Sequence, residues 1–167
     1  MSMIGEYVRL TPAELERTIG DPAAGRELVD RLIEAELDEA PGPSRARCHD
    51  IDKTWQALDF LLHRAGFPVD IAYGEEQIPG ADAWGYGPPR YLTPERVRAA
   101  VAAFPAFPHH ALAEGVTPAD LAKADIYPHI VWERGEPLEY VTYHYASLVE
   151  FFQAAARDGH AVVTWIG

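Results

Sequence analysis

The chain has 167 residues, 48% of them hydrophobic, and its 26 acidic residues outnumber 14 lysines and arginines for a formal net charge of −12. This length supports a single domain with a sizeable core, and we predict one domain over residues 1–167. So acidic a chain repels nucleic-acid phosphates and anionic lipid surfaces, so we expect neither as a partner. A basic partner would suit the charge, although solubility alone also explains it.

The sequence contains no segment that predicts a membrane span or a secretory signal. No apolar run approaches the roughly 20 residues that are needed to cross a bilayer. Residues 1–6 lack the basic region and the apolar core of a signal peptide. Cys48 is the only cysteine, which leaves no internal disulfide framework. We therefore expect a cytoplasmic protein.

Helix starts are the clearest structural signals in the chain. Thr precedes Pro at 11–12, 93–94 and 117–118, and Thr is a good N-cap while Pro suits the first helical position. Glu14 completes a capping box with Thr11. In chain order, we predict a strand over 3–10, helices from 12, over 23–37 and over 50–65, a short strand over 69–73 and an irregular segment over 74–89.

The second half of the chain alternates short elements with prolines. In chain order, we predict a helix over 93–104, a short helix after Thr117, a strand over 130–132, a long helix over 137–158 and a strand over 161–166. The last strand is apolar on both faces, which indicates the inside of a sheet. The pattern predicts an α/β fold: a single compact domain whose small mixed sheet includes the N- and C-terminal strands, with about six helices packed around it.

The segment 84–92, Trp-Gly-Tyr-Gly-Pro-Pro-Arg-Tyr-Leu, is the most distinctive in the chain. Its glycines and prolines predict a rigid, shaped loop. The loop presents flat side chains and one guanidinium, which is the composition of a recognition surface. Trp84, Tyr86, Arg90 and Tyr91 are therefore candidate residues for binding a ligand or a partner. The alternative is a buried loop whose aromatic side chains complete the core.

The motif Asp50-Ile51-Asp52-Lys53-x-Trp55 offers Asp52 as a further candidate, in the role of an acid or a base. Asp52 and Asp59 share a helix face, but about 10.5 Å separates them along the axis at a rise of ~1.5 Å per residue. That distance is too long for the close carboxylate pair of a retaining glycosidase. The simpler interpretation is that Asp50 caps a helix that carries Trp55 into the core.

No motif predicts a metal, a cofactor or a catalytic nucleophile. The seven histidines lack the i, i+4 spacing and the glutamate that are typical of a zinc helix. The chain has no Gly-x-Ser-x-Gly elbow, dinucleotide fingerprint or Walker-type phosphate loop. We therefore assign no catalytic or metal-binding residue and predict no cofactor.

Five short motifs occur in a fixed order along the chain: Met3-Ile4-Gly5, Asp50-Ile51-Asp52-Lys53-x-Trp55, Gly85-Tyr86-Gly87-Pro88-x-Arg90-Tyr91-Leu92, Ile126-Tyr127-Pro128 and Ala161-Val162-Val163-x-Trp165. As an ordered set they resemble the YfbM-like family, a bacterial domain of unknown function. The likeness extends from Met3 to Gly167. The resemblance implies a compact mixed α/β domain with helices around a small sheet. It implies no activity, so no catalytic residue follows from it.

Two functions stay open on the sequence alone. The leading one is a non-enzymatic binding or interaction protein that uses the loop 84–92, with a basic protein or a small molecule as its partner. The alternative is a small-molecule enzyme or sensor with a pocket between this loop and the helix that starts at Asp50. There Arg90 would bind an anion, Asp52 would serve as acid or base, and Tyr86, Tyr91 and Trp55 would stack on a flat ligand. A concave pocket with both Arg90 and Asp52 would favour the enzyme, and a flat patch the binder. In either case we expect a carboxylate beside Arg90, from Asp50, Asp52 or Asp82.

Overall fold

Strands from opposite ends of the chain pair at the centre of one antiparallel sheet. A computed structural model describes residues 1–167, and its five strands are β1 (Gly5–Leu10), β2 (Cys48–Asp50), β3 (Glu76–Gln77), β4 (Arg90–Leu92) and β5 (Ala161–Ile166). They lie in the order β2-β1-β5-β4-β3, and every neighbouring pair is antiparallel. β1 and β5 pair over their whole length, from Gly5 opposite Ile166 to Leu10 opposite Ala161.

Helices cover both faces of this sheet. The α-helices are α1 (Pro12–Gly20), α2 (Pro22–Glu36), α3 (Trp55–Ala65), α4 (Pro94–Ala103), α5 (His109–Leu112), α6 (Pro118–Lys123), α7 (His129–Glu133) and α8 (Glu139–Arg157), and two 3-10 helices span Asp52–Thr54 and Phe104–Ala106. The hydroxyls of Thr11, Thr93 and Thr117 accept hydrogen bonds from the backbone three residues on, so each Thr-Pro pair begins a helix. Thr11 and Glu14 form the predicted capping box. None of these helices is both long and apolar enough to span a membrane.

The sheet separates two hydrophobic cores. Alternation along β5 sends Val162 and Thr164 to one face and Val163 and Trp165 to the other. The first face carries the larger core, with 25 buried residues beneath α3 to α8, and the second carries nine beneath α1, α2 and the segment 78–84. β5 is buried on both faces, as its apolar sequence predicts.

The predicted α/β fold is confirmed as one compact domain whose sheet includes both terminal strands. The sheet is antiparallel throughout rather than mixed, since all four pairs of neighbouring strands run in opposite directions. There are eight α-helices rather than about six. Pro108 and Pro128 each precede a helix of five residues or fewer, which is too short to show a helical period.

Three local predictions were wrong. The segment 130–132 lies in α7 instead of a strand, because three apolar residues fit either structure. The segment 69–73 forms bends and turns, and the extended structure lies instead in β3 and β4. Asp50 ends β2 instead of capping a helix, and its carboxylate accepts a hydrogen bond from the Asp52 N–H at 3.0 Å.

Trp55, the first residue of α3, joins this helix to three separate segments of the chain. Its ring stacks on Tyr127 with centroids 5.4 Å apart and meets Tyr73 edge-on at 6.0 Å. Its indole N–H donates a hydrogen bond to the Met3 carbonyl oxygen at 3.0 Å. Only 9% of Trp55 is exposed, so its removal would leave a large cavity and an unpaired carbonyl.

We expect Trp55→Ala to lower the free energy of unfolding by about 3–5 kcal/mol, which is the usual cost of truncating a buried Trp. Trp55→Phe keeps a ring between Tyr73 and Tyr127 and loses mainly the hydrogen bond to Met3, so we expect a smaller loss. Urea denaturation measures both. If the free energy of unfolding of Trp55→Ala lies within about 1 kcal/mol of the parent's, this side chain contributes little to the core.

His49 of β2 packs against α8 as a neutral imidazole. Its ring stacks on Phe151 with centroids 5.4 Å apart, and its Nε2 atom is buried without a hydrogen-bond partner. Burial lowers the pKa of His49 to about 4, although the nearby Asp50 carboxylate opposes this shift. Because the unfolded chain holds this proton with a pKa near 6.5, acid favours the unfolded state.

We expect the free energy of unfolding to fall as the pH drops from 6.5 towards 4, because the unfolded chain gains the His49 proton before the folded chain does. His49→Phe keeps a ring against Phe151 and removes the titration. It should reduce the loss between pH 6.5 and 4.5 by about 2 kcal/mol. His144 and His160, whose pKa values burial also lowers, act in the same direction in both proteins. Urea denaturation at several pH values tests this, and an unchanged slope would contradict it.

Candidate functional site

The loop 84–92 is fastened to the end of β5 by its backbone. The Tyr86 N–H donates a hydrogen bond to the Ile166 carbonyl oxygen at 2.8 Å, and the Trp84 N–H donates to the Gly87 carbonyl oxygen at 3.0 Å. Gly85 has a φ of 155° and lies directly against the backbone of the last two residues. The predicted rigid loop therefore exists, and its shape depends on close backbone contact at Gly85.

A concave pocket lies beneath this loop, at the end of the larger core. Its volume is about 270 Å³, and its walls include Met3, Trp55, Tyr73, Tyr86 and Arg90, with Ile166 and neighbouring backbone completing them. We call this cavity the aromatic pocket. Trp55 and Tyr73 are held by the core, whereas Tyr86 stands at the rim with 53% of its surface exposed. The pocket thus combines fixed aromatic walls with one accessible ring.

Arg90 belongs to β4 and lines the aromatic pocket from the sheet side. Its Nε donates a hydrogen bond to the Gly74 carbonyl oxygen at 3.2 Å, and its Nη2 donates to the Glu75 carbonyl oxygen at 2.8 Å. Gly74 has a φ of 81°, so the chain turns here and brings these two carbonyls across from β4. The prediction of a carboxylate beside Arg90 was wrong, because backbone carbonyls occupy the edge formed by Nε and Nη2.

Two other aromatic candidates of the loop point away from the pocket. Trp84 is buried in the smaller core, where it meets Trp165 edge-on at 5.4 Å and the Arg26 guanidinium lies 5.3 Å from its ring centroid. Tyr91 follows Arg90 in β4 and packs against the same smaller core. Alternation along the strand separates Tyr91 from Arg90. The loop therefore supplies Tyr86 and Arg90 to the pocket, and Trp84 and Tyr91 to the fold.

Asp52 lies outside the lining of the aromatic pocket. It has a left-handed backbone, with a φ of 50°, and its carboxylate accepts a hydrogen bond from the Tyr140 hydroxyl of α8. Partial burial raises the pKa of Asp52, but the Tyr140 hydrogen bond and the Lys53 ammonium outweigh this effect and keep the pKa below its usual range. A pocket does lie between the loop and α3, but Asp52 faces α8 and not this pocket.

Tyr73 and Met3 line the pocket but were not predicted to do so, whereas Trp55 was predicted as a core residue and, in the alternative function, as a stacking residue. Tyr73 directly precedes Gly74, and that glycine was the available signal for a turn beside the loop. Burial, together with the Asp59 and Asp70 carboxylates, raises the pKa of Tyr73 to about 12, so its hydroxyl stays protonated. Met3 lacks a signal of its own, because it reaches the pocket only through the pairing of β1 with β5.

We expect Gly85→Ala to detach the loop 84–92 from β5. An added Cβ would overlap the Ile166 carbonyl oxygen and lie 2.8 Å from the Gly167 Cα, and neither backbone atom can move aside cheaply. The free energy of unfolding should fall by about 1–3 kcal/mol, and the Tyr86 amide should exchange faster with solvent.

Gly87→Ala is the matched control for that change. No atom lies within 4 Å of the Cβ that it adds, and Gly87 does not have a positive φ. Its effect on unfolding should stay within about 0.5 kcal/mol. Urea denaturation and amide exchange distinguish the two variants, and equal effects would show that the contact with β5 is unimportant.

The chain is similar to known proteins over almost its whole length. A family model described as "Domain of unknown function (DUF1877)" matches residues 1–165. Among solved structures, the chain is similar to YfbM, a protein of unknown function from Escherichia coli, with a TM-score of 0.62 and 16% sequence identity over 99% of this chain and 100% of that one. At this identity the likeness concerns the fold alone. No curated protein matches the chain. The chain therefore belongs to the YfbM-like family, the family of the domain of unknown function DUF1877.

Proposed function

We propose that this chain is a binding protein that holds a small planar ligand in the aromatic pocket. The observation that carries this proposal is the pocket itself: an exposed Tyr86 at the rim and fixed rings of Trp55 and Tyr73 in the walls. Flat, rigid walls bind flat molecules by stacking, at a low cost in side-chain entropy. The volume of about 270 Å³ suits one or two fused rings rather than a nucleotide.

The pocket's chemistry favours binding over catalysis. Its walls hold no carboxylate, histidine or cysteine. The pKa of Tyr73, raised to about 12, makes its hydroxyl a poor proton acceptor at neutral pH, and a general base works best when its pKa lies near the operating pH. Asp52, the candidate acid or base, does not contribute to the pocket. These features support the non-enzymatic function more than the enzyme.

A second candidate function is the docking of a basic protein on the outside of the loop 84–92. The observation that favours it is the exposed Tyr86 on a protein with a net charge of −12, since such a charge attracts basic surfaces. We place either function in the cytoplasm. Cys48 is the single cysteine and a free thiol, so this fold contains no internal disulfide.

A fragment screen by NMR tests the proposed function, with planar heteroaromatic fragments such as quinoline and indole-3-carboxamide. Four tryptophan indole N–H signals report on the whole protein. Trp55 and Trp165 line the aromatic pocket, whereas Trp84 and Trp132 do not. Binding in the pocket should therefore shift the first two signals and leave the Trp132 signal unchanged.

We expect Tyr86→Ala to raise the dissociation constant of such a fragment roughly fivefold, because one stacking partner is lost. Tyr143→Ala is the matched control, because Tyr143 is 68% exposed on α8 and lies outside the pocket walls. Titration of the Trp55 signal measures the affinity of each variant. Equal losses in both variants, or no binding by any planar fragment, would contradict the proposed function. Binding of a polylysine peptide that depends on Tyr86 would favour the second candidate instead.

A further inference from the structure

We propose that the natural ligand of the aromatic pocket is a planar aromatic carboxylate, whose two oxygens bind the free edge of Arg90. This inference rests on the proposed function and adds the ligand's chemical class. Three features of the structure support it: the lack of a charge partner for Arg90, the way that its guanidinium is held, and the arrangement of rings around it.

Arg90 is the exception among the arginines that are not on the exposed surface. There are five of these, and four form salt bridges with carboxylates: Arg9 with Asp158, Arg26 with Asp30, Arg47 with Glu14 and Arg96 with Glu75. Arg90 forms none and bonds only to two neutral carbonyls. A partly buried charge without a counter-charge is unfavourable, and in so acidic a chain its partner would be easy to supply. We therefore infer that a ligand supplies the negative charge.

The hydrogen bonds of Arg90 leave one donor edge of its guanidinium available. The carbonyls of Gly74 and Glu75 take up Nε and one N–H of Nη2, whereas the two N–H groups of Nη1 and the second N–H of Nη2 have no partner in the protein. Of these, the outer N–H of Nη1 and the second N–H of Nη2 are parallel and form an edge that pairs with both oxygens of a carboxylate. Because the carbonyls already hold the guanidinium in place, little further ordering is needed when an anion binds.

The rings of the pocket define the rest of the ligand. Trp55 and Tyr86 line the same cavity as Arg90, so a ring that stacks on them lies beside the guanidinium. The apolar side chains of Met3 and Ile166 in the walls disfavour a polar substituent on that side of the ligand. A single or fused aromatic ring that carries one carboxylate can both stack on the aromatic walls and pair with the Arg90 guanidinium.

The test compares two ligands that differ only in charge, indole-3-carboxylate and indole-3-carboxamide, by isothermal titration calorimetry at pH 7. We expect the carboxylate to bind the parent protein at least about tenfold more tightly, which is the advantage of a charge-assisted, bidentate pair over a neutral contact. This comparison needs no variant, so a change in folding cannot obscure it.

Variants then assign the advantage to Arg90. Arg90→Gln should remove the preference for the carboxylate, and Arg90→Lys, which keeps the charge without the fork of donors, should retain only part of it. Arg98→Gln is the control, because Arg98 is exposed on α4 and pairs with Glu95. A preserved preference in Arg90→Gln that still melts cooperatively would overturn the role of Arg90.

The failure of this inference differs from the failure of the proposed function. Equal affinities for carboxylate and carboxamide, or binding of the carboxamide alone, would overturn the inference and leave a pocket for neutral planar ligands. If neither compound nor any other planar fragment shifts the Trp55 signal, both the proposed function and the inference fail.

Discussion

The structure depends on one constraint, the full-length antiparallel pairing of β1 with β5. Six residues from each end of the chain pair in register, and beyond the strands Ile4 and Gly167 exchange backbone hydrogen bonds at 2.8 and 2.9 Å. Both strands are almost entirely buried, and their apolar side chains alternate between the two cores. Because a one-residue slip would exchange the two faces, both cores depend on this register.

The aromatic pocket follows from the same pairing. β5 carries the backbone to which the loop 84–92 is fastened, and β4 pairs with β5 so that Arg90 lies opposite Thr164. The pairing also brings Met3 to the indole N–H of Trp55. An ion pair supports the opposite end of the central strands, where the buried Arg9 guanidinium bonds to the exposed Asp158 carboxylate at 2.7 Å. The two ends of the strand pair thus differ, with an ion pair at one end and a concave pocket at the other.

The elements with strong local signals were predictable from the sequence. Thr-Pro pairs, the apolar stripe that includes Trp55 and the doubly apolar segment 161–166 each specify their structure within a few residues. The strands β2, β3 and β4 were not predicted, because they have only two or three residues and are extended only through pairing with longer strands. Short segments of this kind take their conformation from tertiary contacts rather than from propensity.

Prediction of the candidate site had the same limit. The composition of the loop 84–92 identified Tyr86 and Arg90, which line the pocket, but did not separate them from Trp84 and Tyr91, which face the smaller core. That separation depends on strand alternation in β4, and β4 was not predicted. The acidic composition predicted a carboxylate beside Arg90, yet the turn at Gly74 places carbonyls there. Charge counts cannot show which atoms a turn presents.

The wall residues of the aromatic pocket come from segments near residues 3, 55, 73, 86–90 and 164–166, which together extend over almost the whole sequence. No supersecondary unit contains the pocket, so no fragment of the chain would retain the proposed binding activity. Opening either terminal strand would dismantle the walls while distant helices could remain folded. A ligand would therefore protect the chain against the opening of either terminal strand. In hydrogen exchange, ligand binding would therefore slow the most protected amides of β1 and β5 as much as the amides of the residues that touch the ligand.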